Sequence, residues 1–455
     1  MIDRQKINSF LKRAYWTLDG WRFQDLKNFI TLEAKNHNAH QNVVDNSLTI
    51  FSIQQLSDGK DNSFALLSVM PPTESGVGVC NLKTIVEGSF EGDVFGDWNS
   101  AAAWLQSAAY HDTRLLSRYG ISALPFFLYR RKYKNVVASF GNSDSDFEII
   151  DLAIKCQAEL FCDKFSIHLH DMCLWNICRM LSVAQGKSLL NLIIEHYPQS
   201  NNEQVRSVFA SNTTNWQISE ALIDLGLYGL KPILANLNPN TVFVNSEAAS
   251  CILDLDYKDS EKPFIVKRAF HPIFRNDIRK IERPVWNKLT PLRIGTFGIL
   301  SLAKRSELIF EACEKLVDQG QNITLVVAGY GAKSFIEKNN LYSSKFQIEV
   351  YSSPTDGELL SLMDSIHVAV QLRKRNLGES SGVVASLIRK YVTTIVSDIG
   401  SFAEYGGAVI AINQFCTAIE LASSISGAAT TDISAAQAEY AAQHSSEELC
   451  KLWFS

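Results

Sequence analysis

The chain has 455 residues, 46% hydrophobic and 20% charged, with a formal net charge of −5 and a sequence pI of about 6.0. That length exceeds one ordinary core and predicts two or three domains. The acidic balance argues against an extended nucleic-acid-binding surface, and no nucleic-acid partner is expected.

Cysteines stand at positions 80, 156, 162, 173, 178, 251, 313, 416 and 450, with no CxxC pair and no zinc spacing. They read as reduced thiols acting as small hydrophobes in a cytoplasmic protein. The opening MIDRQKINSFLKRAYW carries no apolar signal-peptide core. Nowhere does an apolar run reach the roughly 18 residues of a membrane span, which leaves a soluble chain or one resting on the cytoplasmic membrane face.

Residues 1–60 read as a helical N-terminal extension. Ile7, Phe10, Leu11, Ala14, Tyr15 and Leu18 recur at helical spacing, and Phe23, Leu26, Phe29 and Ile30 continue the pattern. This segment is expected to pack on the next domain or to meet a protein or membrane partner.

From residue 64 short apolar runs alternate with helical patterns. The first series is Phe64–Met70, Val136–Phe140, Phe165–Leu169, Thr241–Val244 and Phe264–Val266. The second is Arg293–Phe297, Ile323–Ala328, Gln347–Tyr351, His367–Leu372, Thr393–Val396 and Ala408–Ile412. Such runs, split by helices, mark buried parallel strands of an α/β fold. Two series imply two doubly wound, Rossmann-like domains, at 61–275 and 276–432. The charged, proline-punctuated RNDIRKIERPVWNKLTP reads as the linker. An alanine-rich helical stretch, 433–455, either closes the second domain or crosses back to the first.

Candidate chemistry gathers after strands, because doubly wound sheets bind ligands at their carboxyl edge. Phe64–Met70 runs into PPTESGVGV, where Gly76 and Gly78 let a diphosphate approach the backbone; the spacing is not GxGxxG. Phe165–Leu169 ends in His170, placed to bond a ligand hydroxyl or act as acid or base, with His168 deeper on the same face. Asp171 reads as a cap for the next helix. Lys304 and Arg305 precede an amphipathic helix, so cations and helix dipole would act together on a phosphate. Gly378, Glu379, Ser380, Ser381 and Gly382 lie between a strand and a helix, where backbone N–H groups and one carboxylate meet the edge. A carboxylate there would accept from sugar or ribose hydroxyls. The run Tyr129-Arg130-Arg131-Lys132-Tyr133-Lys134 is either a solvated surface or a patch for anionic lipid.

These segments together resemble the family 4 glycosyltransferases. PPTESGVGV is similar to that family's opening PPxxSGI loop, and FGNSDSDFEI to its GNSxxH segment, with Asp146 where histidine is common. IHLHDMCL, VFVNSEAA and GTFGILSLAKR are similar to its HD, VHSE and GxxxxxK segments. LGESSGVVASLIRKYVTTIVSDIGSFAE is similar to its GExSGxxxxALxxGxPVIVSDxGxxxE block.

The resemblance implies the GT-B fold, with two Rossmann-like domains facing a cleft and a C-terminal crossover helix. It implies retaining transfer from a nucleoside diphosphate sugar to a glycan, lipid-linked or protein acceptor hydroxyl, in bacterial polysaccharide or glycoconjugate assembly. No cofactor or metal is expected. Lys304, joined by Arg305 and Arg373, would neutralise the leaving diphosphate. Glu379, first carboxylate of the E-x7-E element, would touch the donor sugar, and His170 would line the first-domain side. Gly76, Gly378, Ser380, Ser381 and Gly382 would surround the donor.

Two departures stand out. The second carboxylate falls at Leu387, and the glycine before the next strand is replaced around Tyr391-Val392. Other readings share the fold: a nucleotide-sugar epimerase or phosphorylase, although no acid/base set for a sugar carbon is assembled, and an inactive pseudo-glycosyltransferase that binds a partner chain.

Overall fold

The computed structural model describes residues 63–98, 118–198, 200, 202–212, 214–275 and 286–455. The expected N-terminal extension lies outside the described residues, as does most of the linker, 276–285.

The strands run β1 (Phe64–Leu67), β2 (Asp93–Gly96), β3 (Arg118–Gly120), β4 (Tyr133–Phe140), β5 (Cys162–Leu169), β6 (Thr241–Val244), β7 (Ile265–Arg268), β8 (Leu292–Phe297), β9 (Ile323–Gly329), β10 (Gln347–Ser352), β11 (Val368–Gln371), β12 (Thr393–Ser397) and β13 (Ile410–Ile412). They form a seven-stranded sheet, β3-β2-β1-β4-β5-β6-β7, and a six-stranded sheet, β10-β9-β8-β11-β12-β13. β1 pairs parallel to β2 and β4, and β8 parallel to β9 and β11. Chain order therefore reverses beside β1 and beside β8, which are the switch points where doubly wound sheets bind ligands.

The helices that matter below are α1 (Gly76–Glu87), α2 (Asp144–Lys155), α3 (Trp175–Ala184), α4 (Glu247–Asp256), α5 (Ser306–Asp318), α6 (Gly382–Arg389), α7 (Ser434–Gln443) and α8 (Ser446–Phe454). Local chemistry starts several of them. Ser75 caps α1 by accepting from Gly78 N, and Ser381 caps α6 by accepting from Val384 N. At α2, Ser143 and Asp146 form a reciprocal capping box. Each such cap is worth about 1 kcal/mol. Asp146, at the position where the resembling family has histidine, is thereby committed to a helix start.

Two units emerge from the packing. The first holds the described residues through Phe243, with Leu255–Lys267 and Trp453–Ser455; the second holds Val244–Asp254 and Arg268–Leu452. Residues 268–275, read from sequence as first-domain, fall in the second unit. Ile273 bridges in parallel to Ser445 and packs with Val384, Ile388 and Phe402. In the first unit, Trp453 is fully buried, its ring centroid 5.4 Å from that of His168, and its carbonyl accepts from Asn135 Nδ2 at 2.6 Å. The second unit's core joins β8, β9 and β11 to α5 through Ile294, Leu325, Val370, Ile309 and Leu316. Leu387 lies in a separate apolar cluster of that unit with Phe297, Val326 and Ala369.

The basic run 129–134 does not form one patch. Arg131 is buried against Asp93 (2.6 Å), which also accepts from the buried Tyr133 hydroxyl at 2.5 Å. Lys132 and Lys134 are exposed, following the alternation of a strand start. The side chains of Tyr129 and Arg130 are outside those described. Among the described residues no single helix is long and apolar enough to cross a membrane.

Candidate functional site

In the second unit the site grows from the end of β8. Gly298 follows that strand with φ +87°, a conformation glycine adopts freely. A Cβ there would stand 3.2 Å from Lys304 Nζ and 3.7 Å from Val383 Cγ2. The ammonium of Lys304 and the first turn of α6 thus converge over one glycine. Ser301 holds the turn that carries Lys304, accepting from its backbone N at 3.3 Å. Lys304 is poorly solvated. Burial, reinforced by the charge of Arg373, pulls its pKa down from 10.5 to about 8.

Arg373 follows β11. Its backbone N donates to Ser397 Oγ (2.9 Å), and its guanidinium lies over the Phe402 ring, 5.2 Å from the centroid. Burial lowers its pKa, and the charge of Glu379 works the other way. Arg373 therefore feels both Lys304 and Glu379, and the two cations are both desolvated, Lys304 beside the first turn of α6. That combination attracts an anion, because each cation relieves its own desolvation by gaining one.

The loop carrying Glu379 is organised by a residue the sequence reading passed over. Buried Asn376 accepts from Gly378 N (2.7 Å) and Ser401 N (3.1 Å), and donates to the Glu379 carbonyl (3.2 Å). Ser401 Oγ donates to the same carbonyl at 2.7 Å. Glu379 Oε2 accepts from Leu377 N at 2.7 Å, folding the carboxylate back over its own loop. Ser381 N donates to Tyr405 OH at 3.3 Å, and Ser380 is half-buried. Gly382 opens α6 and is exposed; a Cβ there would stand 3.3 Å from His271 Nε2, another neighbour not singled out from sequence. An Asn between RKR and a glycine, just before a helix, was the available signal for Asn376.

Three assignments change. Gly378 serves packing rather than ligand approach: φ is +98°, a Cβ would come within 2.3 Å of Ala249 N, and Ser246 Oγ donates to its carbonyl at 2.8 Å. Arg305 is spent elsewhere. Its guanidinium donates to the carbonyls of Gln414 and Cys416, the latter at 2.7 Å, so the cation ties down the loop after β13. Leu387 is fully buried in the apolar cluster, so a carboxylate there would meet a core and no ligand.

Glu404, last residue of the quoted LGESSG block, was also missed as a contributor. Its carboxylate accepts from Glu247 N and Ala248 N, both at 2.9 Å, capping α4, and pairs with Arg268 at 2.7 Å.

In the first unit the edge of β1, β4 and β5 carries a second group. His170 follows β5, and its Nε2 lies 3.0 Å from Ser139 Oγ. His168 sits below it with ring centroids 4.4 Å apart, on the same face as expected. Gly76, the first residue of α1, is exposed, with nothing within 4 Å of a Cβ position. Gly78 carries the steric demand instead, its Cβ position 2.8 Å from the Val69 carbonyl oxygen. Asp171 does not cap α3. It accepts from Asn142 N at 2.8 Å, while Asn142 Oδ1 accepts from Asn176 N and Ile177 N at 3.1 and 3.3 Å and does the capping. Burial raises the pKa of both Asp171 and Asp146.

No protein-family model matches the chain, and no curated protein sequence does. Solved structures do. The chain is similar to Anabaena HepE in complex with UDP-glucose, at 12% identity and a TM-score of 0.51, over 86% of this chain and 98% of that one. Sucrose-phosphate synthase from Thermosynechococcus elongatus matches at 12% identity and a TM-score of 0.52, over 86% and 96%. A glycosyltransferase from Rickettsia africae matches at 12% and 0.50, over 86% and 97%. The fold is GT-B. At such identities the likeness concerns the fold, with its two parallel α/β sheets, and the residues of the site have to be argued from their own geometry.

Proposed function

We propose that the chain is a nucleotide-sugar-dependent glycosyltransferase. It would move a hexosyl group from a nucleoside diphosphate sugar to an acceptor hydroxyl with retention, in polysaccharide or glycoconjugate assembly. The observation that supports this reading is the meeting of Lys304 and the first turn of α6 over Gly298, with the charge of Arg373 felt at Lys304 and that of Glu379 felt at Arg373.

Glycosyl transfer develops positive charge on the sugar and negative charge on the departing phosphate. Lys304 and Arg373, held by protein rather than by water, would stabilise that phosphate as it leaves. The N–H groups of the α6 first turn, from Gly382 onward, would add fixed dipoles. Glu379 would accept from sugar hydroxyls on the positive side of the reaction. His170 would bond a sugar or acceptor hydroxyl. With lysine and arginine supplying the charge, the reading calls for no metal or other cofactor. Acceptor class and any membrane or protein contact remain part of the proposal, as does a cytoplasmic location.

Loss of one such donor would cost on the order of 3 kcal/mol in the transition state, about a hundredfold in rate. The test is thermal stability with UDP, GDP, ADP and CMP, comparing wild type with Lys304→Ala. UDP leads the series because the similar HepE structure holds UDP-glucose. At about 100 times its Kd, a ligand stabilises by roughly 2.7 kcal/mol. Stabilisation by one nucleotide, lost in the variant, supports the reading; silence toward all four overturns it.

A further inference from the structure

Gln371 is the last residue of β11, and it ends a strand whose other three positions, Val368, Ala369 and Val370, are apolar and fully buried. The glutamine is itself only 3% exposed, too little for water to solvate its amide. Its Nε2 has no hydrogen-bond partner among the described residues. Buried amides are ordinarily paired, because a donor taken from water without a new acceptor destabilises the fold. An amide N–H can only donate, so what would satisfy Gln371 is an acceptor oxygen.

The sheet register says what lies over this amide. Along the parallel pair of β11 and β8, Val368 stands opposite Ile294 and Ala369 opposite Gly295. Two steps on, Gln371 comes level with Phe297, the residue before Gly298. On its other side it stands opposite Val396 of β12. Alternation puts Gln371 on the same face as Ala369. That is the face α6 covers. Leu387 joins Ala369 and Phe297 in one apolar cluster with Val383 packed against it, and Val384 and Ile388 pack with Val396. Gln371 ends β11 at its carboxyl edge, so it lies under the start of α6. Val383 and Lys304 converge over Gly298 at that same edge.

We propose that Gln371 is a further diphosphate-binding residue, whose amide donates to a phosphate oxygen held by Lys304 and the first turn of α6. This role rests on the glycosyltransferase reading. The terminal torsion of a glutamine is soft, so the nitrogen turns toward a ligand without moving the strand. Lys304 supplies charge and the helix N-terminus supplies fixed N–H groups. Gln371 adds a neutral donor from the sheet beneath them. The free protein carries the cost of the orphaned donor, and the complex removes it.

The experiment takes Gln371→Met, which keeps the length of the side chain and loses the amide. Gln371→Leu is run beside it, so that a loss shared by both belongs to the amide and not to the fit of one side chain. Melting temperature is read without ligand, and affinity for inorganic pyrophosphate and for UDP is read by calorimetry. Pyrophosphate probes the site without presuming a base. Both variants should melt no lower than wild type, and both should bind the two ligands about ten- to a hundredfold more weakly. A lower melting temperature in both variants would show the amide already paired in the free protein and would overturn the proposal. So would unchanged pyrophosphate affinity in the folded variants; with UDP still bound, that result leaves the glycosyltransferase reading standing. A wild type that binds neither ligand removes the contact and the reading together.

Discussion

Lys304 Nζ stands 3.2 Å from the place where a side chain on Gly298 would begin. The two residues form one device: a glycine in a left-handed conformation makes room for a half-buried cation. Gly298→Ala should therefore fail twice over. The backbone conformation costs about 1–2 kcal/mol with any Cβ present, and the added methyl crowds the ammonium. Thermal melting should show the loss of stability, and nucleotide titration should show weakened binding well beyond what the stability loss explains.

Lys304 should also reveal a conflict between stability and binding. Its folded pKa of about 8 lies below the 10.5 of an exposed lysine, so between those values the unfolded chain holds more protons than the folded one. Stability from this group accordingly rises with pH across that window, and the penalty is complete below about pH 8. Lys304→Met should raise the melting temperature of the ligand-free protein at neutral pH, by an amount corresponding to roughly 1–3 kcal/mol. The gain should shrink as pH climbs toward 10. Diphosphate affinity runs the opposite way: in the wild type it should decline as pH rises past 8, and the variant should show no such decline. Calorimetry in buffers of different ionisation enthalpy should detect proton uptake on binding near pH 8.

Asn376 satisfies backbone groups on both sides of the Glu379 loop. Asn376→Ala should cost about 1–3 kcal/mol through the orphaned donors. It should also weaken nucleotide binding even though residue 376 need touch no ligand. Chemical denaturation and titration of the same variant separate the two effects.

Tyr391 occupies the place where the resembling family has glycine, and it keeps a glycine's conformation, with φ +55°. Tyr391→Gly should stabilise the protein by roughly 0.5–1 kcal/mol, the relief of left-handed strain outweighing the added freedom of the unfolded chain. Denaturant midpoints of the two proteins check the sign.

Arg131 separates the two readings of the basic run. Removing it takes the Arg131 cation from buried Asp93, and Arg131→Met should destabilise by about 3–5 kcal/mol. Binding to anionic vesicles, measured by co-sedimentation on folded protein, should not change.

Much of the fold was legible because buried parallel strands write themselves as unbroken apolar runs. β4 through β13 fall on the segments expected, and the split into two sheets follows their grouping. β2 and β3 escaped because Asp93, Gly96, Arg118 and Gly120 break up their apolar runs. At the site, position after a strand was readable and side-chain direction was not. Lys304 and Arg305 are adjacent in sequence, yet one stands over Gly298 and the other reaches the carbonyls of Gln414 and Cys416. Asp171 and Asn142 exchanged the expected capping role for the same reason, since the partner comes from another strand's loop. Leu387 looked like a lost carboxylate only as long as its burial was unknown.

Asn135 on β4 donates its side-chain amide to the carbonyl of Trp453, and Phe454 packs its ring against Phe64 and Phe90, with centroids 5.2 and 4.6 Å apart. Strand and helix are separated by more than three hundred positions along the chain, 318 between the bonded pair. During synthesis the first sheet therefore emerges without a cover that is made only after the second unit. Domains that fold in order as they leave the ribosome do not have this arrangement. Here the first unit must wait, partly bare, through the whole translation of the second, so the protein should rely on chaperones early and gain its final stability in one late step.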